Sequence, residues 1–121
     1  MVRVKWPRGI GTYPDDMLVV AIPTARIKDW ESFHDVFAST LRFPDYYGRN
    51  MDAWIDCLSF PDSMTELAIE PDEVLMLDLQ SIEAFRTRCP EPYEAIVRCA
   101  AFVNSRRIDG AESSILALSF R

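Results

Sequence analysis

Asp52 and Asp56 stand four residues apart in Tyr46–Ser59, a stretch whose sole basic residue is Arg49. Carboxylates at that spacing can serve as a general acid and base, ligate a cation, or present negative charge to a basic partner. Acid–base catalysis needs an enclosing pocket and a group that binds an electrophile, and the flanking residues provide neither. The only histidine, His34, falls on a different helical segment and reads as surface or structural. Cys57 has no plausible histidine base and reads as packed rather than nucleophilic. No glycine-rich phosphate loop is present, so no catalytic residue and no cofactor are assigned. Asp62, Glu66, Glu70, Asp72 and Glu73 do not follow the order of a calcium loop, so no metal site is assigned.

The element that must carry the pair is a helix. Asn50 is a natural N-cap, and the helix runs from there to about Ser59 or Phe60. At roughly 100° per residue, Trp54, Ile55 and Leu58 fall within roughly 60° of Met51 and form an apolar stripe. Asp52, Asp56 and Ser59 form a second stripe beside it, while Cys57 lies away from that stripe. Ile55 borders both. Like charges one turn apart repel and weaken a helix, although the helix N-terminus relieves Asp52. Two readings are open on this ground: an ordinary solvated face, or a surface that complements a positively charged partner.

The rest of the chain supplies the frame. Met17–Ile22, Val74–Leu79 and Ile115–Phe120 are apolar runs of strand length, and the first reads as buried on both faces. Asp29–Leu41 places Trp30, Phe33, Val36, Phe37 and Leu41 at helical intervals, with Trp30, Trp54 and the phenylalanines at helical spacing expected in the core. Phe43-Pro44 ends that helix. Of Tyr46 and Tyr47, one is expected exposed and the other partly buried. Pro61 to Asp72 reads as an acidic loop. Ser81–Arg88 and Pro92–Arg106 read as further helices separated by Pro90, and Asp109-Gly110 as a turn. Strands alternating with helices imply crossover connections. The expected fold is therefore α/β, a three-stranded parallel sheet packed with about four helices. Residues 1–16 read as an N-terminal extension with a short Val2–Trp6 edge strand, and residues 17–121 as the domain.

Charge narrows the partners. The chain has 121 residues and a formal charge of −6. Between Pro44 and Asp78 nine acids face one base, so this third carries −8 and the remainder +2. That balance argues against nucleic acid and against an anionic membrane surface. No run is long enough to span a bilayer. The amino terminus shows no secretory pattern, since Met17–Ile22 is too short and ends at Pro23. Three cysteines, Cys57, Cys89 and Cys99, have neither disulfide nor metal spacing. A reducing cytoplasm is the expected location.

Residues 44–59, Pro-Asp-Tyr-Tyr-Gly-Arg-Asn-Met-Asp-Ala-Trp-Ile-Asp-Cys-Leu-Ser, closely resemble the signature of the barstar family. In that family a Tyr-Gly-x-Asn loop leads into a helix bearing Asp-Ala-x-x-Asp-Cys-Leu. Ile27, Trp30, Phe33, Phe37 and Leu41 match the spacing of its first helix. Barstars are small bacterial inhibitors of guanyl-specific microbial ribonucleases such as barnase. The resemblance implies an intracellular inhibitor or antitoxin, monomeric when free, whose partner is a basic extracellular-type ribonuclease or related toxin. It implies that Asp56 stands in for a substrate phosphate and that Asp52 adds a second charge. Tyr46 would cover the site, Gly48 permit close approach, and Asn50 cap the helix. Ala53 would leave room for contact, Ile55 adjoin it, and Ser59 make a weaker polar contact.

Several positions depart from the pattern. Ile55 replaces an aromatic residue, Arg49 adds a positive charge, and Phe60-Pro61-Asp62 follows the helix in place of Gly-Trp. The stretch Ile96–Val103 lacks the family's further glutamate. The competing reading is an acidic interaction domain of the same fold that binds another basic partner without inhibiting a ribonuclease. An inhibition assay separates the two.

Overall fold

The computed structural model describes residues 2–5, 16–67, 69, 73–110 and 116–121. Its strands are β1 (Val2–Lys5), β2 (Asp16–Ile22), β3 (Val74–Leu79) and β4 (Leu116–Phe120). Its helices are α1 (Trp30–Thr40), α2 (Met51–Ser59), α3 (Pro61–Met64), α4 (Ile82–Arg88) and α5 (Pro90–Asp109), with a 3-10 turn at Thr24–Arg26. Residues 6–15 of the expected extension, residues 68 and 70–72 of the acidic loop, and Ile115 lie outside the described residues.

The strands form one sheet in the order β1-β2-β3-β4. β2, β3 and β4 are the parallel core that the alternation of strands and helices requires. Leu18 pairs with Leu75, and Leu75 with Leu116. The edge strand β1 adds an antiparallel fourth member, Val2 opposite Val19. β2 is not buried on both faces, contrary to the reading of its apolar run. Leu18, Val20 and Ile22 are buried, Met17 and Val19 are half-buried, and Ala21 is exposed. The alternation of a strand puts one set against the core, where Leu75, Leu77 and Leu79 of β3 join it.

The core is aromatic around α1 and α2. Phe33, Phe37 and Trp54 are fully buried, with the Phe37 and Trp54 rings edge to face at 5.7 Å. Burial of each such side chain contributes about 1.5–3 kcal/mol. Trp30 departs from the expected core and is 37% exposed. As the first residue of α1 it overhangs the helix end, edge-on to Phe33 and stacked on His34.

Helix ends follow local chemistry. Asp29 caps α1 through a reciprocal capping box with Ser32. At its other end Arg42 turns left-handed, with φ 55°, and the Phe43 amide donates to the Ala38 carbonyl. This is the six-to-one bond of a Schellman stop. The expected loop after Phe60 begins instead as the single turn α3, because the fixed φ of Pro61 suits a first helical position. Pro90 likewise starts α5 rather than merely stopping α4, and Cys89 is at once the C-cap of α4 and the N-cap of α5. The far half of α5 is pinned to β4, since Asn104 exchanges two hydrogen bonds with the backbone of Leu116, at 2.8 and 3.2 Å.

Candidate protein-binding site

The loop Phe43–Asn50 hangs from α1 by a buried polar contact. Tyr47 is buried and its hydroxyl lies 2.6 Å from His34 Nδ1. Burial, reinforced by Arg49, lowers the His34 pKa against a smaller pull from Asp35. Burial foremost, then Cys57, raises that of Tyr47. A protonated phenol beside a neutral imidazole shares one hydrogen bond, whose direction follows the imidazole tautomer. Tyr46, its neighbour, is 71% exposed, and its hydroxyl reaches Met64 Sδ on α3 at 3.8 Å. The two tyrosines therefore divide as expected, one facing outward and one anchoring.

Arg49 is tied back rather than presented. Its backbone is left-handed, with φ 55°. Its guanidinium meets Asp35 at 2.9 Å and donates to the Glu31 carbonyl at 3.0 Å. Asn50 then caps α2: its Oδ1 accepts from the Ala53 amide at 2.8 Å, while its Nδ2 donates to the Gly48 carbonyl at 3.2 Å. A side chain at Gly48 would crowd this cap. A Cβ there would sit 3.3 Å from Asn50 Nδ2 and 3.4 Å from the Ala53 Cβ. Trp30, Glu31, His34, Arg49, Asn50 and Met51 line an open groove of about 530 Å³ beside the cap.

On α2, Asp52 and Asp56 are both exposed, whereas Ala53 and Ile55 are half-buried. Ser59, on the same side of the helix, does not share their exposure. It is 1% exposed, because the end of α2 packs against α5, where Arg107 donates to the Ser59 carbonyl at 3.2 Å. Cys57 is buried, and burial with the adjacent Asp56 charge pushes its thiol up to about 11. It is a packed thiol at neutral pH, not a thiolate nucleophile. Among the described residues no group of three or more His, Cys, Asp and Glu side chains is placed to hold a metal. No described helix is long and apolar enough to cross a membrane.

One participant is absent from the sequence reading. Arg106, fifty residues beyond Asp56 and near the end of α5, places Nη1 3.2 Å from Asp56 Oδ1. Its guanidinium carbon lies 5.6 Å from the centre of the Phe60 ring. Both Arg106 and Arg107 occupy the last turn of α5, where basic residues are favoured by the helix dipole alone. That ordinary explanation conceals the pairing in the sequence.

These features define a small α/β protein with an acidic loop-and-helix surface held from behind by α1 and α5. The chain belongs to the barstar family: the family model described as Barstar (barnase inhibitor) matches residues 17–113. The chain is also similar to "Putative ribonuclease inhibitor YrdF" of Bacillus subtilis (strain 168). The two are 59% identical over 29 residues, covering 24% of this chain and 32% of that protein. The match thus spans just under a third of that relative's length.

Proposed function

We propose that this chain inhibits a basic ribonuclease by inserting the surface formed by Tyr46, Gly48, Asn50, Asp52, Ala53, Ile55 and Asp56 into the enzyme's active site. Asp56 takes the place of a substrate phosphate, Asp52 supplies a second charge, and Tyr46 covers the rim. The observation that carries this reading is the pair of exposed carboxylates on one face of α2. The loop leading into that helix is locked by the Asn50 cap and the Tyr47–His34 contact. A rigid acidic face enters a basic cleft with little ordering cost, and its charge steers the encounter. Family membership and the similarity to a protein named as a ribonuclease inhibitor support the same reading. Ser59 is left out of the contact surface because its side chain is buried.

The test is inhibition of barnase by the wild-type chain, Asp56→Ala and Asp62→Ala. Truncating a charge that becomes buried on binding costs about 2 kcal/mol or more, so Asp56→Ala weakens inhibition by at least about 30-fold. Asp62→Ala leaves it within about twofold, as expected for an exposed rim charge. Association slows as salt rises. Equal inhibition by the two variants refutes the role of Asp56. Absence of inhibition by the wild type removes barnase as a target and favours an acidic interaction domain with another basic partner.

A further inference from the structure

We propose that Arg106 determines the selectivity of this surface by competing, from within the same chain, for the carboxylate of Asp56. The inference rests on the inhibitory reading above and deepens it. The anchor carboxylate is already engaged in the free protein. Arg106 Nη1 holds Asp56 Oδ1 at 3.2 Å, with Phe60 against the guanidinium. Phe60 is the C-cap of α2, so the ring that supports the competitor belongs to the same helix end as the anchor. The residue supplying the competitor comes from α5, which packs along α2.

The contact is a single nitrogen–oxygen approach between half-exposed side chains. Such a pair is weak and screened. A planar guanidinium that reaches both carboxylate oxygens makes two parallel charge-assisted bonds and displaces a one-point contact. A lone ammonium offers no such second bond. Arg106 therefore favours a cleft that presents an arginine fork to Asp56 over one that presents only lysines. It also reduces the negative field at the anchor, which slows encounter with every basic partner.

Arg49 does not play this part. Its guanidinium is drawn to Asp35 and the Glu31 carbonyl on α1, so it competes for neither carboxylate of α2. Among the described residues, that leaves Arg106 as the cation placed on the anchor.

The experiment is stopped-flow association and equilibrium binding to barnase of the wild type, Arg106→Gln, Arg106→Lys, Arg86→Gln and Asp56→Ala. Arg106→Gln removes the competitor and keeps a neutral side chain on Phe60. It is expected to bind about two- to fivefold tighter, mainly through faster association, with a steeper salt dependence. Arg106→Lys retains the charge and falls between that variant and the wild type. Arg86→Gln removes the same formal charge from α4, where Arg86 pairs with Glu83, and stays close to the wild type.

Equal or weaker binding by Arg106→Gln overturns the inference, as does an equal gain from Arg86→Gln. In either case a large loss with Asp56→Ala leaves the inhibitory reading standing. Full inhibition by Asp56→Ala sinks that reading instead. Binding by Arg106→Gln alone supports the inference, and binding by no variant overturns both. The nitrogen spectrum of the free protein gives a partner-independent check. Rotation of the Arg106 guanidinium is expected to be slowed in the wild type and released in Asp56→Asn; unchanged rotation overturns the inference.

Discussion

Replacing Tyr47 by phenylalanine removes one oxygen from the interior and leaves the ring in place. That oxygen lies 2.6 Å from His34 Nδ1, between side chains of residues 8% and 5% exposed. Without it the imidazole keeps a buried ring nitrogen with no partner, which costs about 1–3 kcal/mol. For a chain of this size each kcal/mol moves the melting temperature by about 4 °C, so a fall of about 4–12 °C is expected. The measurement is urea and thermal denaturation at pH 8, where His34 is neutral. A double variant, His34→Phe with Tyr47→Phe, removes both polar partners and is expected to lose less than the sum of the single changes. Acid supplies an orthogonal check. Burial holds the folded His34 pKa below its ordinary 6.5, so the neutral form is the one the fold favours. The corresponding stability is complete above about pH 6.5 and is lost as pH falls through the lower folded value. A loss under about 0.5 kcal/mol for Tyr47→Phe, or strictly additive variants, refutes the hydrogen bond as the tether of the loop.

Two further outcomes follow from the same geometry. Asn50→Ala deletes the acceptor for the Ala53 amide and is expected to cost about 1 kcal/mol in chemical denaturation. Because Gly48 loses its amide partner as well, faster hydrogen exchange should appear at the start of α2 but not in β3. Alkylation with iodoacetamide at pH 8 should modify Cys99 before Cys57 and Cys89. Cys99 is partly exposed, though burial raises its thiol as well, whereas the other two are buried and the Cys57 thiol is raised to about 11. Mass mapping of the first modified peptide decides this.

Features set by neighbours in the chain were legible in the sequence. The Asn50 cap, the stripe of α1 and the parallel character of three strands depend on local chemistry and on periodicity. That Tyr46 and Tyr47 would divide was also expected, but which of them is buried was not, since His34 on α1 holds Tyr47. Features set across the fold were not. Ser59 lies on the acidic side of an isolated wheel, yet α5 covers that end of the helix. Trp30 has the spacing of a core residue but sits at the first position of α1, where nothing overlies it completely. An apolar run such as Met17–Ile22 does not reveal whether one face or both will be covered. The pairing of Arg106 with Asp56 spans fifty residues, and no local pattern signals it.

Cys89 closes one helix and opens the next without a linker residue. That sets α5 as an arm fixed beside α4 at one end, with Asn104 holding its far half to β4. Arg106 lies seventeen residues along the arm, about 25 Å away at 1.5 Å per residue. A tilt of one degree at Cys89 therefore carries the guanidinium through about 0.4 Å, a sizeable step beside a 3.2 Å contact. The pivot is braced by Arg88, which donates to the carbonyls of Thr24 and Ile27 at 3.0 and 3.1 Å. Substitutions at this joint, at the opposite end of α5 from Arg106, would act on the Arg106–Asp56 contact without altering either residue.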